Sequence, residues 1–327
     1  MSKKSIPRQI LPSKLHPRNR HQGRYDLPRL MLAEPSLAEF VSVNLHGVST
    51  LDFANPAAVR SLNRALLKDC YGILGWDIGP NNLCPPVPGR VDYLHYLADL
   101  MAASNGGRQP RTTLVLDIGT GANCIYPLLG ASEYGWRFVA SDIDSSSLEN
   151  AARILAANPN LAERITLRLQ NSSSAIFSGI VLDDDWFDVT LCNPPFHASL
   201  AEADQGSQRK WQNLGKTARV NEEKTSKSST SPLNFGGQAN ELCCPGGELA
   251  FIEQMIKEST LFATRSFWFT TLVSKSANLP AIYAALKAAK VLQHQTIQMG
   301  QGQKQSRFVA WTFLHPAQQT AWRKLRW

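Results

Sequence analysis

No apolar run in this chain of 327 residues approaches the roughly 20 that a membrane-crossing helix needs. The basic start, Met1-Ser-Lys-Lys-Ser-Ile-Pro-Arg8, lacks the apolar stretch of a secretory signal, and its proline content disfavours the amphipathic helix of a transit peptide. A cytoplasmic location with no membrane partner is the expectation. Zinc-ligand spacing is missing too. The six cysteines, Cys70, Cys84, Cys124, Cys192, Cys243 and Cys244, form no C-x-x-C and no Cys/His pair. No metal is expected, and the thiols should be reduced and mostly buried. Nor is there a G-x-S-x-G elbow, a P-loop or an H-E-x-x-H, so hydrolase, NTPase and metalloprotease readings have no support. Acidic residues are scarce where cations collect. Residues 1–29 hold Lys3, Lys4, Arg8, Lys14, Arg18, Arg20, Arg24 and Arg29 against one acid, Asp26, in a chain of net charge +8. The far end, Arg323-Lys324-Leu325-Arg326 between Trp322 and Trp327, is also basic. Such ends suit a polyanion partner; a solubilising tail is the plainer alternative.

What is present is a strand-helix alternation. Residues 1–30 are polar, basic and aperiodic, which predicts an extended, flexible RNA-binding arm. Residues 31–107 read as a helical segment. Asn55 caps a helix with Pro56 at its first position and Val59, Leu62 and Leu66 on one face, and a second helix runs from Asp92 to Ser104. From 108 onward strands are predicted at Thr113–Ile118, Arg137–Ser141, Ile165–Leu169, Phe187–Cys192 and Ser266–Val273. Helices lie between them, and a closing pair of strands covers Gln293–Met299 and Arg307–Leu314. This pattern argues for a doubly wound parallel sheet with a terminal antiparallel hairpin at one edge. Residues 197–247 break the rhythm. Between Gly215 and Pro232 only Ala218 and Val220 are apolar, too little to offset ordering entropy, so a mobile loop at the substrate mouth is expected.

Two strand-end motifs carry the chemistry. Leu116-Asp-Ile-Gly-Thr-Gly-Ala122 puts Gly119 and Gly121 directly after the first core strand, where absent side chains let backbone approach a nucleotide-like cofactor. Asn123 opens the next helix. A nicotinamide site would carry a third glycine three residues after Gly121, and Cys124 stands there. Asp142 ends the second strand, placed to accept two ribose hydroxyls, with Asp144 as a competitor. Asn171, just past the third strand, could cap an adenine ring or be an ordinary loop residue. The second motif, Asn193-Pro-Pro-Phe196, closes the apolar run Phe187–Cys192. The Asn193 side-chain oxygen and the Pro194 carbonyl could accept both N–H bonds of an exocyclic amine, and Phe196 offers a stacking face. The two prolines stiffen the turn. His197 is read as a polar loop neighbour. Together the motifs describe an S-adenosylmethionine-dependent methyltransferase acting on an exocyclic or amide nitrogen.

On these residues the chain resembles the RlmF family of bacterial 23S ribosomal RNA adenine-N6-methyltransferases and, more distantly, the methyltransferase-like RNA adenine enzymes. The carriers are Val87–Tyr96, Asp117–Leu129, Asn193–Phe196, Asn234-Phe-Gly-Gly237 and Gly246-Gly-Glu248. The resemblance implies a class I, Rossmann-like methyltransferase fold and an S-adenosylmethionine site that includes Asp117. It implies a role for Arg90 at the cofactor's carboxylate, a fixed adenine in 23S RNA or a large-subunit assembly intermediate as substrate, and a monomer. Gln205–Ser231 departs from the pattern by its length and polarity. A guanine-N2 ribosomal RNA methyltransferase, a protein-glutamine methyltransferase and a non-catalytic RNA-binding protein with a decayed pocket are the rival readings.

Overall fold

The computed structural model describes residues 15–45, 47–80, 82–197, 241, 243–301 and 304–327. The substrate loop expected at 197–247 falls almost wholly outside the described residues, as do the first fourteen residues of the basic arm.

From residue 15 the expected flexible arm is docked instead. His16, Asn19 and His21 are buried. The His16 N–H donates to Asp92 Oδ1 at 2.7 Å, Asn19 donates to the same oxygen at 2.9 Å, and His21 meets the Tyr71 hydroxyl at 2.9 Å. Arg18 pairs with Asp99 and Arg20 with Glu133, each at 2.8 Å, and Arg29 with Asp69 at 3.0 Å. These cations are spent on the fold, because acids of later helices face them. A short helix, α1 (Leu27–Ala33), even starts inside the arm, with Asp26 as its cap. A two-stranded hairpin follows, β1 (Val41–Val43) and β2 (Ser49–Leu51).

Two longer helices lead into the core. α2 (Pro56–Tyr71) begins at the Asn55 cap, whose side chain accepts from the Ala57 and Ala58 N–H groups, and stops at left-handed Gly72. α3 (Val87–Ser104) starts a turn before the expected Asp92, since Pro88 lies in its first turn, where no N–H is needed.

The core then runs β3 (Leu114–Ile118), α4 (Ile125–Tyr134), β4 (Arg137–Asp142), α5 (Ser145–Ala156), α6 (Pro159–Ala162), β5 (Ile165–Leu169) and β6 (Phe187–Cys192). It continues through α7 (Gly247–Ser259), β7 (Ser266–Leu272), α8 (Leu279–Ala288), β8 (Gln293–Gln301), β9 (Lys304–Thr312) and α9 (Pro316–Arg326). The sheet order is β5-β4-β3-β6-β7-β9-β8. Strands β3 to β7 are mutually parallel, and β9 runs antiparallel between β7 and β8. The terminal hairpin is therefore present, but its second strand is the inner one. Alternate side chains of β4 feed opposite faces: Phe138 and Ala140 pack with α3 and α4, while Val139 joins Ile252, Met255 and Leu286 of α7 and α8. Close helix-to-sheet approach needs Gly130, where a Cβ would lie 2.4 Å from the Phe138 ring.

The closing helix α9 is absent from the sequence reading. Its basic run serves the fold: Arg326 donates twice to Asp188 at 3.1 Å, and Arg323 donates to the Ser104 carbonyl at 3.2 Å. Among the described residues, no helix is long and apolar enough to cross a membrane.

Candidate active site

Strand order reverses between β3 and β6, so the crevice beyond their carboxyl ends is where an open α/β sheet holds ligands. The register makes this concrete. Ile118 pairs with Cys192, so Gly119 and Asn193 are the next residues of adjacent strands. The two motifs, 74 residues apart in the chain, meet side by side.

A cavity of about 660 Å³ opens there. Arg90, Gly119, Gly121, Asn123, Asp142 and Asn193 all line it. Gly119 and Gly121 adopt φ of 73° and 64°, in the left-handed region that side chains avoid. A Cβ on Gly121 would lie 3.3 Å from the Asn123 amide. The position of the missing third glycine is also left-handed, with buried Cys124 at φ 48°. Asn123 stands one residue before the α4 cap, Cys124, and its side chain accepts from the Ile125 N–H at 3.1 Å.

Asp142 accepts from Gly121 N–H at 2.8 Å and Asp144 N–H at 3.0 Å, one on each oxygen. The carboxylate keeps acceptor capacity for a diol. Burial pushes this carboxyl up, and the N–H bonds from Asp144 and Gly121 pull it back. The competitor Asp144 is occupied as the cap of α5, accepting from Ser146 and Ser147, and does not line the cavity. Arg90 reaches in from α3, donating to the Tyr126 hydroxyl at 2.8 Å, with its guanidinium 5.5 Å from that ring.

Asp117 sits under the glycine turn, 1% exposed and off the cavity wall, and among the described residues neither carboxylate oxygen meets a donor in good geometry. Burial pushes it up to about 7; the Thr120 hydroxyl and Arg90 work against that rise, and Asp142 adds to it. Asn193 carries a second orphan, its Oδ1, buried without a hydrogen-bond partner among the described residues. Orphaned buried acceptors are costly; the Asn193 oxygen belongs to a residue on the cavity wall, where a donor from outside can reach, whereas Asp117 does not line the cavity.

Some expected residues lie elsewhere. Pro195 lines the cavity, whereas Pro194 is buried behind it and Phe196 is half-buried off its wall. Asn171 is exposed and off the wall; its neighbour Gln170 is 7% exposed and on it. Leu169 is the last residue of β5, and Gln170 turns inward after it, tied to the Ser178 carbonyl at 2.9 Å. His197 bridges to Cys243, and its carbonyl accepts from the Cys244 N–H at 3.0 Å, so the second motif is stitched to the segment before α7. That segment supplies lining the sequence reading did not find: Glu241, Cys243 and Cys244, followed by Phe251 and Gln254 of α7. The one hint was Gly246-Gly-Glu248, which carried the resemblance. Cys84, Cys124 and Cys192 are buried and the other three cysteines half-buried. Burial raises the Cys192 and Cys244 thiols, which makes them poor thiolates. Among the described residues, no cluster of three or more His, Cys, Asp or Glu side chains could hold a metal ion.

The comparisons with known proteins agree with this geometry. A family model described as RNA methyltransferase matches residues 9–315. Ribosomal RNA large subunit methyltransferase F of Pseudomonas aeruginosa (strain LESB58) is 57% identical over 318 residues, covering 96% of this chain and 92% of that protein. The protein of the same name from Methylobacillus flagellatus is 53% identical over 335 residues, covering 100% of this chain and 99% of its own length. Among solved structures, the hMettl16 catalytic domain in complex with MAT2A 3′UTR hairpin 1 superposes with a TM-score of 0.76 at 30% identity, covering 92% of this chain and 96% of that one. The N-terminal domain of human METTL16 in complex with SAH gives 0.71 at 26% identity, covering 92% and 99%.

Proposed function

This chain belongs to the RNA methyltransferase family, with the ribosomal RNA large subunit methyltransferases F as its relatives, and on that premise we propose that it methylates the exocyclic N6 amine of one adenine in 23S ribosomal RNA, using S-adenosylmethionine. The observation that carries the reading is the orphaned Asn193 Oδ1, held beside Gly119 in the switch-point crevice.

The residues present fit the cofactor. Asp142 offers acceptor capacity to ribose hydroxyls, Arg90 on the cavity wall offers a cation for a carboxylate with Asp117 buried beneath the glycine turn, and that turn admits backbone contact. The bound cofactor supplies an electrophilic methyl group on a sulfonium. Everything else falls to the chain. An adenine amine is a weak nucleophile because its lone pair is delocalised into the ring. Asn193 Oδ1 and the Pro194 carbonyl accept its two N–H bonds, which favours a pyramidal nitrogen with its lone pair turned outward. Positioned acceptors then do the catalysis without a strong base. The half-buried Phe196 ring stacks the base once it is unstacked from RNA, which favours a single-stranded or loop site.

The chain acts as a monomer in the cytoplasm, without a metal, on 23S RNA or an assembly intermediate. In this reading the cations of residues 1–14 grip phosphates broadly, while the pocket chooses the base.

The test is to incubate the purified chain with methyl-labelled S-adenosylmethionine and unmodified 23S RNA, then digest to nucleosides. Label in N6-methyladenosine is expected. Label in N2-methylguanosine would move the chain to the guanine-N2 reading. Cofactor binding with no label in RNA would leave a non-catalytic RNA-binding protein.

A further inference from the structure

Helix α7 carries two buried carboxylates, Glu248 at its start and Glu258 in its last turn, 2% and 6% exposed. Helix electrostatics explains the first and not the second, since negative charge near a helix C-terminus is unfavourable. Among the described residues neither carboxylate is paired with a cation; each accepts from three N–H donors. Glu248 accepts from Ser274 N–H at 2.6 Å, Lys275 N–H at 3.2 Å and the Asn278 amide at 2.7 Å, tying down the turn after β7. Glu258 accepts from three consecutive backbone N–H groups, Ile176 and Phe177 at 2.9 Å and Ser178 at 2.7 Å.

The two latched turns differ in what they face. The turn at 274–278 contributes nothing to the cavity wall. The turn held by Glu258 supplies Ser173, Ser174, Ala175 and Ile176 to it, next to Gln170 and Ile143. Between the two glutamates the same helix lends Phe251 and Gln254 to the wall, and Gln254 reaches the Ser174 carbonyl at 3.4 Å. Spacings of three, seven and ten residues from Glu248 put Phe251, Met255 and Glu258 on one stripe, so the helix fixes this wall as a rigid piece.

Resting on the S-adenosylmethionine reading above, we infer that Glu258 is a positioning residue for the cofactor: its carboxylate shapes the wall beyond β5 by holding three N–H groups of the 173–178 turn. Without it, three buried donors would turn toward other acceptors and the wall would move. Charge-assisted bonds of this kind are individually strong, so the effect should be large. Glutamine is the sharp substitution. It keeps one acceptor oxygen and presents an amide N–H₂ to at least one N–H group that previously donated, so donor faces donor.

The experiment compares Glu258→Gln with Glu248→Gln in the full chain, measuring melting temperature, kcat, and KM for S-adenosylmethionine and for RNA separately. Both variants should melt earlier. Glu258→Gln should raise the cofactor KM by about 10- to 100-fold, the factor expected for lost hydrogen bonds to a charged group, with kcat and RNA KM moved less than about threefold. Glu248→Gln should leave the cofactor KM near wild type. Equal cofactor KM values in the two variants would overturn the inference, as would a loss confined to kcat. If a variant is too unstable to assay, Gln254→Ala, which removes the weaker tie to the same turn, should raise the cofactor KM alone; no change would count against the inference. Cofactor binding by the wild-type chain is measured first. Its absence would sink both readings, whereas methylation of guanine would sink only the earlier one.

Discussion

Strands β3 and β6 end in opposite ways. At their amino ends lies Asp188, fully buried and fully used. It accepts from Leu114 N–H at 2.7 Å, Trp322 and Trp327 indoles at 2.8 and 2.7 Å, and both forks of Arg326. Toward their carboxyl ends lie buried Asp117 and half-buried Asn193, whose shielded side-chain oxygens meet no donor in good geometry among the described residues. Asp188 and Asp117 share a side chain and its burial, 0% and 1% exposed; they differ in the donors they meet. A buried carboxylate with every partner supplied from within is a fastener. One left open stores a cost that only an incoming ligand relieves.

The largest break in this comparison should come from Asp188→Ala. It strands Arg326 and two indoles and frees α9, so we expect a loss of about 3–5 kcal/mol in denaturant unfolding, the range for breaking one half of a buried pair. The cofactor affinity of the molecules that remain folded should be unchanged. Asn193→Ala should do the reverse. Turnover should fall by about 10²- to 10³-fold, roughly 2.7–4 kcal/mol of transition-state stabilisation, with melting temperature and cofactor affinity nearly intact. Near wild-type turnover would refute the proposed role of its oxygen. Asp142→Ala should weaken cofactor binding by about 1–3 kcal/mol in calorimetry, since it removes charge-assisted acceptors. The smallest effect belongs to the arm. Removing residues 1–14 deletes Lys3, Lys4, Arg8 and Lys14. It should flatten the salt dependence of RNA binding without changing the methylated base. Removing 1–29 should instead unfold the α2–α3 face, because His16, Asn19 and His21 are part of it.

That docked segment also sets an acid limit. Burial lowers His21 and His95 to about 4, with nearby arginines adding to the effect. Both stay neutral when folded and take up a proton when unfolded below about 6.5. Stability is therefore present above that value and lost as pH falls toward 4. Melts between pH 7 and 4, with His21→Gln for comparison, would show it as a shallower decline in the variant.

The strand ends were legible in the sequence because a parallel sheet writes its crevice into them. Gly119, Gly121, Asp142 and Asn193 each follow directly from, or end, an apolar run, and alternation alone places them together. The parts that were not legible depend on contacts through space. α1 has seven residues and two buried leucines, too few for a period. α9 is polar, with only Trp322 buried, and is held by an aspartate 134 residues earlier in the chain. Arg18, Arg20, Arg29 and Arg326 looked like polyanion ligands because their partners, Asp99, Glu133, Asp69 and Asp188, lie on distant elements. Glu258 gave no local signal at all: an acid near a helix end shows nothing of the three N–H groups it meets.

The contrast between the poles is tested most directly by melting Asp117→Asn and Asp188→Asn side by side, without cofactor, at pH 8 and pH 5. Folding raises the Asp117 pKa to about 7. Its proton-linked stability is thus fully present below the ordinary carboxylate value and lost as pH rises through about 7. At pH 8 the folded wild-type chain holds a buried charge that Thr120 and Arg90 only partly offset, so Asp117→Asn should raise the melting temperature there and lose that advantage at pH 5. Asp188→Asn should lower it at both. A destabilised Asp117→Asn at pH 8, matching Asp188→Asn, would mean that Asp117 is a fastener too and that the open pole is not built for a ligand.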